Sequence, residues 1–137
     1  AAGADAAAIC RREDAITLPL AKLSAFVYQE MQITDHNIAY VTLDKETLSK
    51  LYLSEAETSA VVPLPGKVAS VVAWVIFVQQ EDGHYRVRLR SKGPAINGVA
   101  KNHRGGGHPM ASGAKAVDNA EKKQIINELD EVASQMD

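Results

Sequence analysis

The sequence predicts an α/β (α+β) fold, a mixed β-sheet flanked by helices, and three observations predict it. Residues Val71 to Gln79 (VVAWVIFVQ) are apolar on both faces, the pattern of a strand buried in the middle of a sheet. The turn Glu81-Asp82-Gly83-His84 follows, with Asp-Gly as a strong hairpin signal, and Tyr85 to Ser91 then alternates apolar and basic residues as a partner strand does. Segments with helical character alternate with these strands along the chain.

In chain order, residues 4–14 read as a helix that Asp5 can cap, since Ala6 to Ile9 are good helix formers. Pro19 suits the first turn of a second helix, Leu20 to Gln32, with Leu23, Phe26, Val27 and Met31 along one side. These two helices have little apolar surface between them, so residues 1–34 read as linker helices and 35–137 as the domain proper. Asn37 to Leu43 reads as a strand, and Asp44 as the cap of a short helix. Glu55 to Val62 reads as a helix stopped by Pro63-Leu64-Pro65-Gly66. After the hairpin, Asn97 is expected to cap a short helix running to about Asn102. Arg104 to His108 reads as a glycine loop, followed by a turn and a small strand near Ala114 to Val117. An amphipathic helix, Asn119 to Met136, closes the chain with Ile125, Ile126, Leu129 and Val132 toward the core.

A chain of 137 residues allows one domain with a hydrophobic core that needs neither disulfide nor metal. The single Cys10 excludes an internal disulfide and fits a reducing compartment. The Ala-rich start carries Asp5 and lacks the basic segment and long apolar core of an export signal. The longest apolar run, Val68 to Val78, is too short to span a bilayer. The expectation is a cytoplasmic protein with no membrane partner.

The net charge of −2 argues against a general nucleic-acid binder, but the charges are unevenly placed. From Gly83 to Val117 there are seven Lys or Arg and no Asp or Glu, so the remainder holds eight basic and all seventeen acidic residues. A local positive field on a net acidic protein points to a focused anion site.

Two stretches inside that window can build such a site. Gly105-Gly106-Gly107 brings no side chain to a core; it brings a backbone that lets a ligand approach closely, and successive N–H groups can converge on an anion. His108 follows directly and can donate to a phosphate oxygen. The plainer reading of this run is a surface loop. In the strand Tyr85 to Ser91, Arg86, Arg88 and Arg90 share one face, spaced about 6–7 Å apart. Three like charges on one face repel, and a plain solvent face mixes signs. Arginine's planar fork suits a phosphate, with Ser91 at the strand's end as a further contact. A metal site is not suggested: no carboxylate or cysteine lies near His84, His103 or His108 in sequence, and Asp35-His36-Asn37 would join one only through tertiary folding. Cys10 has no base nearby for nucleophilic chemistry.

The order hairpin, RVRLRSKG, AINGVAK, RGGGHPMASGA resembles the DHH-associated C-terminal domain of the DHH phosphoesterase family. The likeness is to its oligoribonuclease and phosphoadenosine-phosphate phosphatase branch, which also includes cyclic-dinucleotide phosphodiesterases, and it covers roughly Asn37 to Met136. It implies a two-domain enzyme whose N-terminal DHH catalytic domain holds two divalent metals, manganese or magnesium, that activate the attacking water. This chain would then bind no cofactor and supply no catalytic residue. Its part would be to hold a nucleotide or short oligoribonucleotide through Arg88, Arg90, Ser91, Gly105, Gly106, Gly107 and His108. Relatives often carry glycine where Arg104 stands and asparagine where Met110 stands. The partners implied are the substrate, the catalytic domain that the linker helices would follow, and a second copy in a homodimer. Two other readings stay open: a free-standing nucleotide- or RNA-binding module without catalysis, and a structural dimerisation domain with the glycine run as a hinge.

Overall fold

The computed structural model describes residues 15–136, so the helix expected over 4–14 lies outside the described residues. Helix α1 (Leu18–Glu30) begins at Thr17, whose hydroxyl accepts the Leu20 N–H, with Pro19 in the first turn. Strand β1 (Gln32–Ile33) is too short to be read from sequence and pairs antiparallel with β2 (Ile38–Leu43). Asp44 caps α2 (Lys45–Lys50), its carboxylate accepting the Thr47 N–H at 2.8 Å. The helix expected over Glu55 to Val62 is instead a 3-10 helix, Ala56–Val61, followed by a second at Leu64–Lys67. The stretch is short and ends at Pro63. It closes its turns with bonds three residues apart, such as Thr58 N–H to Glu55 O at 3.1 Å.

β3 (Ala73–Gln79) is buried at six of its seven positions, as its two-faced apolarity predicts. It pairs in parallel with β2 and antiparallel with β4 (Tyr85–Ser91) through the Asp82-Gly83 turn, where Gly83 has φ 88°. Helix α3 (Asn97–Asn102) has buried Ile96 in the cap position, so Asn97 is its first helical residue and not its cap. The glycine run is not a loop. Gly106–His108 is strand β5, hairpinned through Pro109-Met110 onto β6 (Ala111–Ala116), which is longer than the strand expected there. Helix α4 (Asn119–Ser134) is capped by Asp118 and buries Ile125, Leu129 and Ala133, with Ile126 and Val132 packed partly against the same core. The sheet order is β1-β2-β3-β4-β6-β5.

Helices α3 and α4 cover one face of the sheet, over a core that includes Val75, Phe77, Val87, Leu89, Ile96 and Leu129. The other face is covered by α1, α2 and the 3-10 helices. Leu23 and Val27 of α1 are fully buried there with Val41, Val61, Trp74 and Ile76. Trp74 Nε1–H donates to Val62 O at 2.6 Å and ties this layer to β3. Among the described residues, the buried core of this second layer contains nothing from β4, β5 or β6. One face of those three strands is therefore left open, and it carries the arginines. No helix among the described residues is long and apolar enough to cross a membrane.

Candidate functional site

The open face is defined by register. Arg90 lies opposite Ala111, Arg88 opposite Gly113 and Arg86 opposite Lys115. One strand further out, Ala111 lies opposite His108 and Gly113 opposite Gly106. Cross-strand partners share a face, so two rows cross the sheet: Arg90–Ala111–His108 and Arg88–Gly113–Gly106. The middle positions are small. They form the floor of a groove along β6, with the arginine strand on one side and the glycine strand on the other, about 10 Å apart at two strand spacings. At the Arg86 end the groove widens into a cavity of about 320 Å³ lined by Arg86, Arg88, Arg104, Gly113 and Lys115, with no acidic residue among its lining. A larger opening of about 630 Å³ lies between α3 and α4, but Glu128 and Glu131 line it, the wrong sign for an anion.

The cations of the groove are held differently. Arg90 Nη1 donates to Leu89 O at 2.8 Å and Ser112 O at 3.4 Å, which fixes its guanidinium on the strand. Burial, and then the charge of Arg88, pull Arg90 below the ordinary arginine value. Arg86 is paired with Glu55 at 3.0 Å. Arg88 and Lys115 have no carboxylate partner among the described residues. His108 Nδ1 accepts the Met110 N–H at 3.1 Å. The neutral ring therefore carries its proton on Nε2, which is the atom available to donate to a ligand.

Ser91 is not brought to this groove. Its side chain lies on the opposite face of β4 from Arg88 and Arg90, and its hydroxyl closes the next turn by donating to Pro94 O and accepting the Gly93 N–H at 3.0 Å. The three glycines also divide. A Cβ on Gly105 would stand 1.9 Å from Gly113 O, so the two backbones touch there. Gly107 has φ 142°, closed to most side chains. Gly106 has only Lys101 Cγ at 4.0 Å, which leaves room. Gly105 and Gly107 are needed to build the hairpin, and Gly106 is the one with room for a side chain.

Sequence reasoning missed the support behind this strand. His103 is buried, and both ring nitrogens meet carboxylates, Nδ1 to Glu121 Oε2 at 2.7 Å and Nε2 to Glu128 Oε2 at 2.6 Å. Carboxylates only accept, so both nitrogens donate and the ring is an imidazolium. Burial disfavours that charge, but the hydrogen bonds and charges of Glu121 and Glu128 raise the His103 pKa above its ordinary value. Burial likewise pushes Glu121 up. Hydrogen bonds from His103, the Val117 N–H and Arg104 outweigh it and bring the carboxyl down to about 2. The signal available in sequence was a pair of glutamates seven residues apart on one face of α4. Arg104 Nη1 lies 3.1 Å from both Glu121 oxygens. Three peptide steps separate His103 from Gly106, where two separate Gly113 from Lys115 across the His103 O to Lys115 N–H bond. One residue is therefore extra, and Arg104 takes it up at φ 64°.

Residues 35–135 match the DHHA1 domain. The chain belongs to this family. It is 50% identical over 125 residues to a probable bifunctional oligoribonuclease and PAP phosphatase NrnA of Streptococcus mutans, covering 91% of this chain and 40% of that protein. It is 40% identical over 113 residues to the bifunctional oligoribonuclease and PAP phosphatase NrnA of Bacillus subtilis, covering 82% of this chain and 36% of the relative. The chain thus spans about two-fifths of the length of these curated DHHA1 relatives. An exopolyphosphatase-related protein from Bacteroides fragilis shares the fold, with a TM-score of 0.78 at 21% identity over 89% of this chain and 38% of that one. The DHHA1 assignment agrees with the resemblance drawn from the RVRLRSKG and RGGGH stretches, and with the mixed sheet flanked by helices.

Proposed function

We propose that this DHHA1 chain is the substrate-binding part of a metal-dependent DHH-type phosphodiesterase or phosphatase acting on short RNA, dinucleotides or nucleoside bisphosphates. The observation that carries the reading is the Arg90–Ala111–His108 row, a fixed guanidinium facing an imidazole donor across a floor with almost no side chain. The printed activities of the Streptococcus mutans and Bacillus subtilis relatives favour the same substrate class. In this proposal a terminal phosphate lies on the floor. Arg90 and Arg88 neutralise it, His108 Nε2–H donates to one oxygen, and backbone N–H groups near Gly106 complete the cradle. Residues 1–34 lead from a preceding DHH domain. In this proposal the divalent metals belong to that domain, as the family resemblance implies.

Titration of the chain with 5′-AMP tests this. Amide resonances of Arg88 to Arg90 and Gly106 to His108 should shift, and His108→Ala should weaken binding by about tenfold or more, as expected for one hydrogen bond to a charged group. Shifts confined to α1, or binding indifferent to His108, would overturn the assignment.

A further inference from the structure

We infer that the Arg104 end of the groove is a second phosphate subsite, so that the site takes a chain carrying two phosphates. This rests on reading the Arg90–His108 end as the first. The centre of the cavity lies about three residues along the sheet from the Arg90 row, roughly 10 Å. A single phosphate cannot touch both ends.

Three features of the far end point to an anion. Arg104 occupies a left-handed backbone position, φ 64°, that glycine suits better. An exposed arginine at such a position, with its side chain lining a cavity, points to a use for the side chain. That side chain is also fixed in place. Nη1 sits on Glu121, which is itself anchored by His103 and the Val117 N–H, and Nε and Nη2 have no hydrogen-bond partner among the described residues. Finally, the pairing leaves an excess of positive charge. Glu55 answers Arg86 and Glu121 answers Arg104, while Lys115 faces the same cavity unpaired among the described residues and Arg88, also unpaired, lies between the two ends. Gly113 between them presents only backbone, which lets a phosphate settle deeply between the cations.

The test compares 5′-AMP with the 5′-phosphorylated diadenylate pApA, by calorimetric titration of the chain and of Lys115→Gln, Arg104→Gly and His108→Ala. Both far-end variants should fold: Lys115→Gln keeps the backbone bond to His103, and Arg104→Gly gives up a contact to Glu121 but relieves a left-handed residue and leaves Glu121 its bonds from His103 and the Val117 N–H. Each should lower pApA affinity by about tenfold, the size of one charge-assisted hydrogen bond, and leave AMP affinity unchanged. Each should also make the log–log salt dependence of pApA binding shallower by about 0.7. His108→Ala should weaken both ligands. Equal losses for both ligands in the far-end variants, or no loss in either, would overturn the second subsite. Indifference of both ligands to His108→Ala would overturn the first subsite and the function proposed from it.

Discussion

Gly105 and Gly106 are adjacent and chemically identical, yet substitutions at them should behave in opposite ways. Gly105→Ala drives a methyl group into the Gly113 carbonyl and the Ala114 backbone, and neither can rotate away. The hairpin must shift, at a cost in the upper part of the roughly 1–3 kcal/mol that overpacking takes. Gly106→Ala meets only Lys101 Cγ at 4.0 Å, an ordinary contact, so it should be neutral, or stabilising by up to about 0.4–1 kcal/mol through the unfolded chain. Urea unfolding of the two variants checks this. If phosphate approaches the Gly106 backbone, the same harmless methyl should weaken 5′-AMP binding, which separates binding from folding in a single variant. At this scale the shared face of Arg88 and Arg90 was legible, because charge and period are written in the sequence. The same period puts Ser91 on the face opposite Arg88 and Arg90, and only its partner there, Pro94 O, is set by the turn and not by residue type.

The elements most legible in sequence were those whose apolar pattern alone decides them, β3 and α4 above all. β5 was not, and β6 only in its second half, because glycine and alanine make poor strands in isolation. Their pairing comes from the tight turn at Pro109-Met110 and from backbones that only glycine lets touch. The same hairpin depends on α4 through the His103–Glu121–Glu128 cluster, and that dependence should show in pH. The His103 contribution is complete below its unfolded value near 6.5 and is lost as pH rises through the raised folded value. The Glu121 contribution is complete above 4.5 and is lost as pH falls toward about 2. The cluster therefore supports the fold most fully between pH 4.5 and 6.5. Urea unfolding across pH should show wild-type stability falling above that window, and His103→Gln should lack this alkaline decline. Glu121→Leu strips a buried imidazolium and the Val117 N–H of their acceptor and should cost roughly 3–5 kcal/mol inside the window. A His103→Gln profile parallel to wild type on the alkaline side would show that the ring is not charged in the fold.

Across the whole molecule, the crossover from β2 to β3 carries α2 and both 3-10 helices onto one half of a sheet face and leaves the other half open. Sequence revealed the charge asymmetry of residues 83–117 but not this half-covered layer, because the path of a crossover is a property of topology. In the complete protein proposed above, the open groove would hold the end of the substrate while the metal-bearing DHH domain acts on the phosphate that breaks. Contacts to a part of the substrate that does not change during reaction are equally strong in the ground state and the transition state. Their loss therefore raises KM and leaves kcat alone. In that proposed protein, His108→Ala should raise KM for pApA by about tenfold, with kcat and any bound divalent metal close to wild type. Steady-state kinetics over a range of substrate, with metal analysis of the same preparation, measures all three. If instead kcat falls in step with kcat/KM, His108 is stabilising charge that develops on the reacting phosphate itself. The groove would then belong to the catalytic centre and not to the capture of the substrate's far end.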